Sequence, residues 1–244
     1  MNVLTGFLLS SVIVSSAKAA VSLPYANEFL TDDGQFTETS DAQWIETGGV
    51  YRNSITDSNA SAATVVVTRP ATENFVMQSR FNVTAATASV SFGFAALGTG
   101  AATNGSTAGV DFYLADVGTT GTIRILQFTG TGNASIVADA AATGDTLGSL
   151  SFSETYDLTL TGTYTGSNLV LSFTVFDGTN TRTVTSAPIA APLTGTNFGY
   201  RNRNNNTGSY VVNSDFLTIS VPEPSPVLLL GAAAGFGLLC RRRS

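Results

Sequence analysis

The sequence predicts an all-β protein: a two-sheet antiparallel β-sandwich over residues 20–221, set between an N-terminal signal peptide and a short C-terminal transmembrane helix. Three observations predict it. Apolar residues alternate with polar ones in many short segments, turn residues separate those segments, and no long stretch carries an uninterrupted 3.6-residue apolar stripe. About twelve strands over roughly 200 residues, without helical crossovers, favour antiparallel layers over a parallel sheet.

In chain order, the first element is the signal peptide, residues 1–19. An apolar core over 3–14 is followed by Ala17 and Ala19, the small-x-small arrangement that signal peptidase accepts, so cleavage is expected after Ala19. The body begins at residue 20. Its strands are read from alternation: Val90, Phe92 and Phe94; Val110, Phe112 and Leu114; Leu169, Leu171, Phe173 and Val175, each set sharing one face. Further strands are predicted over 63–68, 74–83, 122–128, 156–164, 197–202 and 215–221, with turns at TGTGN, YTGSN and DGTN. Only the stretch from Ala134 to Leu150 invites a helix, and Thr143 to Asp145 interrupts it.

Composition limits the chemistry. Only 11% of the 244 residues are charged, and residues 20–222 hold seven arginines against sixteen acids, a net of −9. Nucleic acid needs clustered positive charge, so it is not an expected partner. The sequence contains no histidine, which removes Ser-His-Asp and Cys-His nucleophiles and every histidine metal site. Its one cysteine, Cys240, lies in the tail, so the body has no disulfide.

No catalytic residues are expected. A glycosidase needs two carboxyl groups about 5 to 10 Å apart. Glu28, Glu38, Glu46, Glu73 and Glu154 stand apart along the chain, and ETYD (154–157) points its two acids to opposite faces of a strand. The candidate ligand loop is YRNRNNNTGSY, with Tyr200, Arg201, Asn202, Arg203, Asn204 and Tyr210 as rings and polar groups able to meet sugar faces and hydroxyls. A solvated hairpin loop is the other reading. Trp44 reads as a core residue rather than a stacking platform, and TDDG (31–34) and FDGTN (176–180) as Asp-Gly turns rather than calcium loops, since calcium takes six to eight oxygens. No cofactor or metal is expected, calcium being the one open possibility.

The final element, residues 222–244, runs Pro222-Glu223-Pro224, fourteen apolar residues over 227–240, then Arg241, Arg242 and Arg243. At about 1.5 Å per residue the apolar run makes a helix of roughly 21 Å, a thin span of a core about 30 Å thick. The arginines stay in the cytoplasm under the positive-inside bias, which places residues 20–226 outside. This tail resembles the PEP-CTERM sorting signal. The resemblance implies processing near Pro222-Glu223-Pro224 by an exosortase, in bacteria that make exopolysaccharide. A permanent single-pass anchor with a Pro-rich stalk is the alternative.

The body, through NEF, QWIETGGVYRN, SVSFGFAAL, GVDFYLADV, YDLTLTGTY, LVLSFTVFDG, FGYRN and VNSDFLTIS, resembles concanavalin A-like (LamG-type) jelly rolls. That resemblance implies that the last strand pairs with the first. It does not choose among lectins, laminin-type modules and hydrolases. The expected protein is a non-enzymatic structural or adhesive component, tethered to the inner membrane as a precursor and then delivered to the cell surface or exopolysaccharide matrix. The alternative is a lectin-like module for extracellular polysaccharide. Expected partners are signal peptidase, exosortase, the membrane through the C-terminal helix, and possible polysaccharide.

Overall fold

The computed structural model describes residues 18–39, 44–55, 60–86, 90–100, 110–130, 134–139, 154–204 and 210–222. Ala17, Glu223, Pro224, the 227–240 helix and Arg241, Arg242 and Arg243 lie outside them. Ala19 is exposed, and Pro222 is half-buried just beyond the last strand. Among the described residues no helix is long and apolar enough to cross a membrane.

In chain order the strands are β1 (Val21–Ser22), β2 (Tyr25–Asn27), β3 (Thr37–Glu38), β4 (Trp44–Thr47), β5 (Val50–Ile55), β6 (Ala60–Thr68), β7 (Phe75–Ala86) and β8 (Val90–Gly98). There follow β9 (Phe112–Gly118), β10 (Ile123–Phe128), β11 (Ala134–Asp139), β12 (Thr155–Thr165), β13 (Asn168–Phe176), β14 (Thr181–Thr185), β15 (Asn197–Asn204) and β16 (Tyr210–Ser220). They form two sheets. The first has the order β1-β6-β15-β8-β9-β10-β11 with β3 also on β6, and the second β14-β13-β12-β7-β16-β5-β4 with β2 also on β16. All pairs are antiparallel except β1 with β6. The expected pairing of last strand with first is met one strand in: Leu217, Thr218 and Ile219 of β16 stand opposite Asn27, Ala26 and Tyr25 of β2, while β1 itself pairs with β6 of the other sheet.

The sheets face each other across one apolar layer. Val90, Phe92 and Phe94 of β8 and Leu169, Leu171, Phe173 and Val175 of β13 all enter it, as period-two alternation requires. β9 departs from the simple pattern. Tyr113, Ala115 and Val117 face this core, whereas Phe112 and Leu114 share the opposite face with Ala62, Ala95, Leu126 and Phe128 in a second apolar cluster. The first sheet is therefore buried on both sides, and β8 shows no exposed position along its whole length. The stretch that invited a helix begins as strand β11, paired to β10 from Phe128–Ala134 to Arg124–Asp139. Isolated helical tendency there yields to the free edge of β10, where backbone groups need partners.

Candidate functional site

Five of the six candidate ligand residues lie on β15, a central strand between β6 and β8, and the structure corrects the expectation of a ligand loop. Tyr200 is fully buried. Its ring lies within 5.3 Å of Phe81 and 6.0 to 6.3 Å of Tyr51, Phe94, Phe29, Phe36 and Trp44. Its hydroxyl donates to the Phe216 carbonyl at 2.8 Å and lies 2.9 Å from Ser79 Oγ. Burial raises its pKa above the usual phenol range. Asn202 donates to Asn53 Oδ1 at 3.1 Å inside the core, and Asn204 and Tyr210 are likewise buried. A ligand arriving from solvent meets only Arg203 of this set, the one exposed member. Residues 205–209 of the same stretch lie outside the described residues.

Arg201 is the unexpected member. Strand alternation turns it to the outer face of the first sheet, where it is 3% exposed. Its guanidinium carbon lies 4.7 Å from the Phe128 ring centroid and 5.6 Å from that of Phe112, and the two rings stack at 4.8 Å and 5°. Burial lowers its pKa to about 10, opposed by the nearby Asp116 carboxylate. That carboxylate is fully buried and held at both oxygens by Arg124, at 2.7 and 3.0 Å.

A second constellation forms where the chain wraps the end of the sandwich. A cleft of about 260 Å³ is lined by Lys18, Asp32, Gly34, Phe36, Glu38, Trp44, Ile45 and Glu46. Asp32 and Asp33 each accept a backbone N–H two residues on, at 2.9 Å, the predicted Asp-Gly turn. Glu46 accepts the Asp33 N–H at 3.2 Å. Desolvation, reinforced by the charge of Asp33, pushes the Glu46 carboxyl up to about 7. Glu38 accepts the Tyr51 hydroxyl at 2.5 Å, and Lys18 donates to the Phe36 carbonyl. Trp44 is a core residue as expected, its Nε1 donating to Ser61 Oγ at 2.5 Å. Alternation along β4 puts Trp44 and Glu46 on the same face, Trp44 buried and Glu46 half-buried at the cleft, so the order Trp-x-Glu was the signal available in the sequence.

Two further described acids are each occupied singly. Asp177 caps its own turn by accepting the Thr179 and Asn180 N–H groups at 2.9 and 2.6 Å, and these bonds hold its pKa below the ordinary value. Asp157 pairs with Arg80 at 2.7 Å on the outer face of the second sheet. Glu154, at the other end of ETYD, lies beyond the start of β12. Among the described residues no group of three His, Cys, Asp or Glu side chains is placed to hold a metal ion.

No protein-family profile matches this sequence, and no curated protein matches it. Solved structures do match its fold. A seed lectin of Lotus tetragonolobus superposes with a TM-score of 0.56 at 14% identity, covering 83% of this chain and 100% of the lectin. The basic winged bean lectin with Tn-antigen gives 0.54 at 12% identity, covering 82% and 99%. An engineered GH43 glycoside hydrolase with endo-xylanase and exo-arabinofuranosidase activity gives 0.52 at 10% identity, covering 85% of this chain but only 42% of the enzyme. The body thus shares the two-sheet sandwich fold of these structures, a likeness of fold alone.

Proposed function

We propose that this chain is an exported, non-enzymatic protein of the cell surface or exopolysaccharide matrix, and that its sandwich binds extracellular polysaccharide. The observation that carries the binding reading is the cleft of Asp32, Glu38 and Glu46 beside Trp44 and Ile45, on a fold shared with lectins. Carboxylate oxygens accept hydrogen bonds from sugar hydroxyls, and Ile45, 51% exposed, offers an apolar surface to the sugar's C–H face. Lys18 precedes the expected cleavage after Ala19, so in the processed protein the cleft is open on that side, where a polysaccharide chain can enter. Export and delivery rest on the Ala17–Ala19 cleavage pattern and on the PEP-CTERM-like tail.

The test is a glycan array with the processed protein, with and without calcium. Binding should appear and should fall in Glu46→Gln and Asp32→Asn. An array with no bound glycan in either condition sinks the binding reading and leaves a purely structural role. A hydrolytic reading is favoured by one observation, a Glu46 carboxyl at about 7 in a cleft shared with two other carboxylates. Against it, Glu38 is engaged by Tyr51. Release of reducing ends from any array-positive polysaccharide, abolished by Glu46→Gln, would establish the enzyme instead.

A further inference from the structure

Lys18 shows what the acidic cleft accepts. Its ammonium donates to the Phe36 carbonyl, and it is the one cation among the described residues that line the cleft, against Asp32, Glu38 and Glu46. Yet Lys18 belongs to the segment that cleavage after Ala19 would remove. On that processing the cation leaves and the carboxylates stay.

The position of the Lys18 ammonium is held by the body rather than by the departing segment. Phe36 packs against Phe29 and Tyr51 in the core, which fixes the backbone that carries its carbonyl. The Gly34 and Asp33 N–H groups engage Asp32 Oδ1 and Glu46 Oε2, which leaves the second oxygen of each carboxylate to accept from a ligand. Desolvation and the charges of Asp33, Asp32 and Glu38 push the Glu46 carboxyl up to about 7, and a cation at the cleft relieves that repulsion. Carboxylates and a carbonyl only accept hydrogen bonds, whereas an ammonium group has three donors and no acceptor.

We propose that the acidic cleft of the processed protein takes an amino sugar, a hexosamine unit whose nitrogen is a free ammonium rather than an amide. That ammonium replaces the one of Lys18 at the Phe36 carbonyl and beside the three carboxylates. An N-acetylated unit offers one N–H and no charge, so it forfeits the charge-assisted bonds. A uronic acid is repelled by the same carboxylates. In the unprocessed chain Lys18 competes with the ligand, so signal-peptide removal opens the site as well as releasing the chain. That the ammonium is borne on a saccharide rests on the carbohydrate-binding reading.

The experiment is calorimetric titration, at matched ionic strength, of the processed protein with a glucosamine oligomer, its N-acetylated counterpart and a lysine oligopeptide of equal charge. The glucosamine oligomer should bind at least about tenfold more tightly than the N-acetylated one, the ratio that charge-assisted hydrogen bonds supply. Asp32→Asn and Glu46→Gln should each weaken it several-fold, and Glu73→Gln, which removes the same charge outside the cleft, should not. The full-length chain in detergent should bind the glucosamine oligomer several-fold more weakly than the processed protein, and Lys18→Ala in the full-length chain should restore the affinity. Equal affinity for the two oligomers overturns the ammonium ligand while the carbohydrate-binding reading stands. Equal weakening by Glu73→Gln reduces the preference to the pull of a body with a net charge of −9 and overturns the site. So does a full-length chain that binds as tightly as the processed protein. A lysine oligopeptide bound as tightly as the glucosamine oligomer overturns the saccharide as ligand. Binding of no saccharide at all, charged or neutral, sinks the carbohydrate-binding reading itself.

Discussion

Tyr200 shows at the residue scale why burial decides function. Its ring touches aromatics of both sheets, and its hydroxyl ties β15 to Phe216 of β16 across the core. Tyr200→Phe removes only the hydroxyl, while Ser79 Oγ still donates to the Phe216 carbonyl. The expected cost is about 1 kcal/mol with glycan binding unchanged. Tyr200→Ala should cost about 3 to 5 kcal/mol in urea unfolding, because a buried ring leaves a cavity. A Tyr200→Phe variant that keeps its stability but loses its glycans would restore the residue to a ligand site. Glu46 makes a second residue-scale prediction. Its folded pKa of about 7 lies above the ordinary 4.5, so the folded state holds the proton more tightly than the unfolded chain. The resulting stability is present below the ordinary value and is lost as pH rises through about 7. Thermal midpoints measured from about pH 5 to about pH 8 should therefore contain a falling component that Glu46→Gln removes. An identical pH profile in wild type and variant would show that the carboxyl is not desolvated.

At the scale of single strands, β13 carries the clearest consequence of period-two alternation. Phe173 is fully buried and meets Phe94 edge-on at 6.4 Å, whereas Thr174 points to the outer face of the second sheet and lies 2.9 Å from Thr183 Oγ1. Phe173→Ala should cost about 3 to 5 kcal/mol, and Thr174→Ala about 1 kcal/mol or less. Comparable urea midpoints for the two would mean the register is wrong. Strands like this one were legible because one face is apolar and the other is threonine and serine. β12 and β13, joined through a two-residue turn at Gly166, which has a φ of 63°, follow the alternation closely. Short strands were not legible as such: β1, β2 and β3 have two or three residues, too few to show a period, and exist because longer neighbours offer free edges. β9 was legible as a strand but not in its orientation, since FYLA offers bulky residues to both faces. The same ambiguity hid the burial of Arg201. An arginine in an Asn-rich string reads as solvated, and only the stacked Phe112 and Phe128, distant in sequence, withdraw it from water. The acidic cleft was hidden for a related reason, because Asp32, Glu38 and Glu46 come from separate segments brought together by β3 and β4.

For the whole molecule, the described body begins and ends at one end of the β2–β16 ladder. β2 and β16 are antiparallel, with Tyr25 opposite Ile219, so the chain enters and leaves this ladder at one end, Val21 and Ser22 crossing there to β6 of the other sheet. A precursor held by a signal peptide at one end and an apolar helix at the other would then attach to one membrane from one side, without unfolding the body. The core needs no covalent support for this: the one cysteine lies in the tail, and the body is held by ladders and apolar packing. Removal of the tail is expected to leave the fold intact, since β16 ends at Ser220 and Pro222 already lies outside it. On the proposed topology the prolines would suit a cleavage site, because proline does not continue a helix. In a host with an exosortase, intact-mass measurement of surface protein should show a chain that begins at Ala20 and lacks Arg241, Arg242 and Arg243. Pro222→Ala combined with Pro224→Ala should instead accumulate in the inner membrane with the three arginines attached. Because Pro222 lies beyond β16, the thermal midpoint of the accumulated variant's body should match that of the processed wild type, which separates a sorting defect from misfolding. Surface protein that retains its full C-terminus would reduce the tail to a permanent anchor.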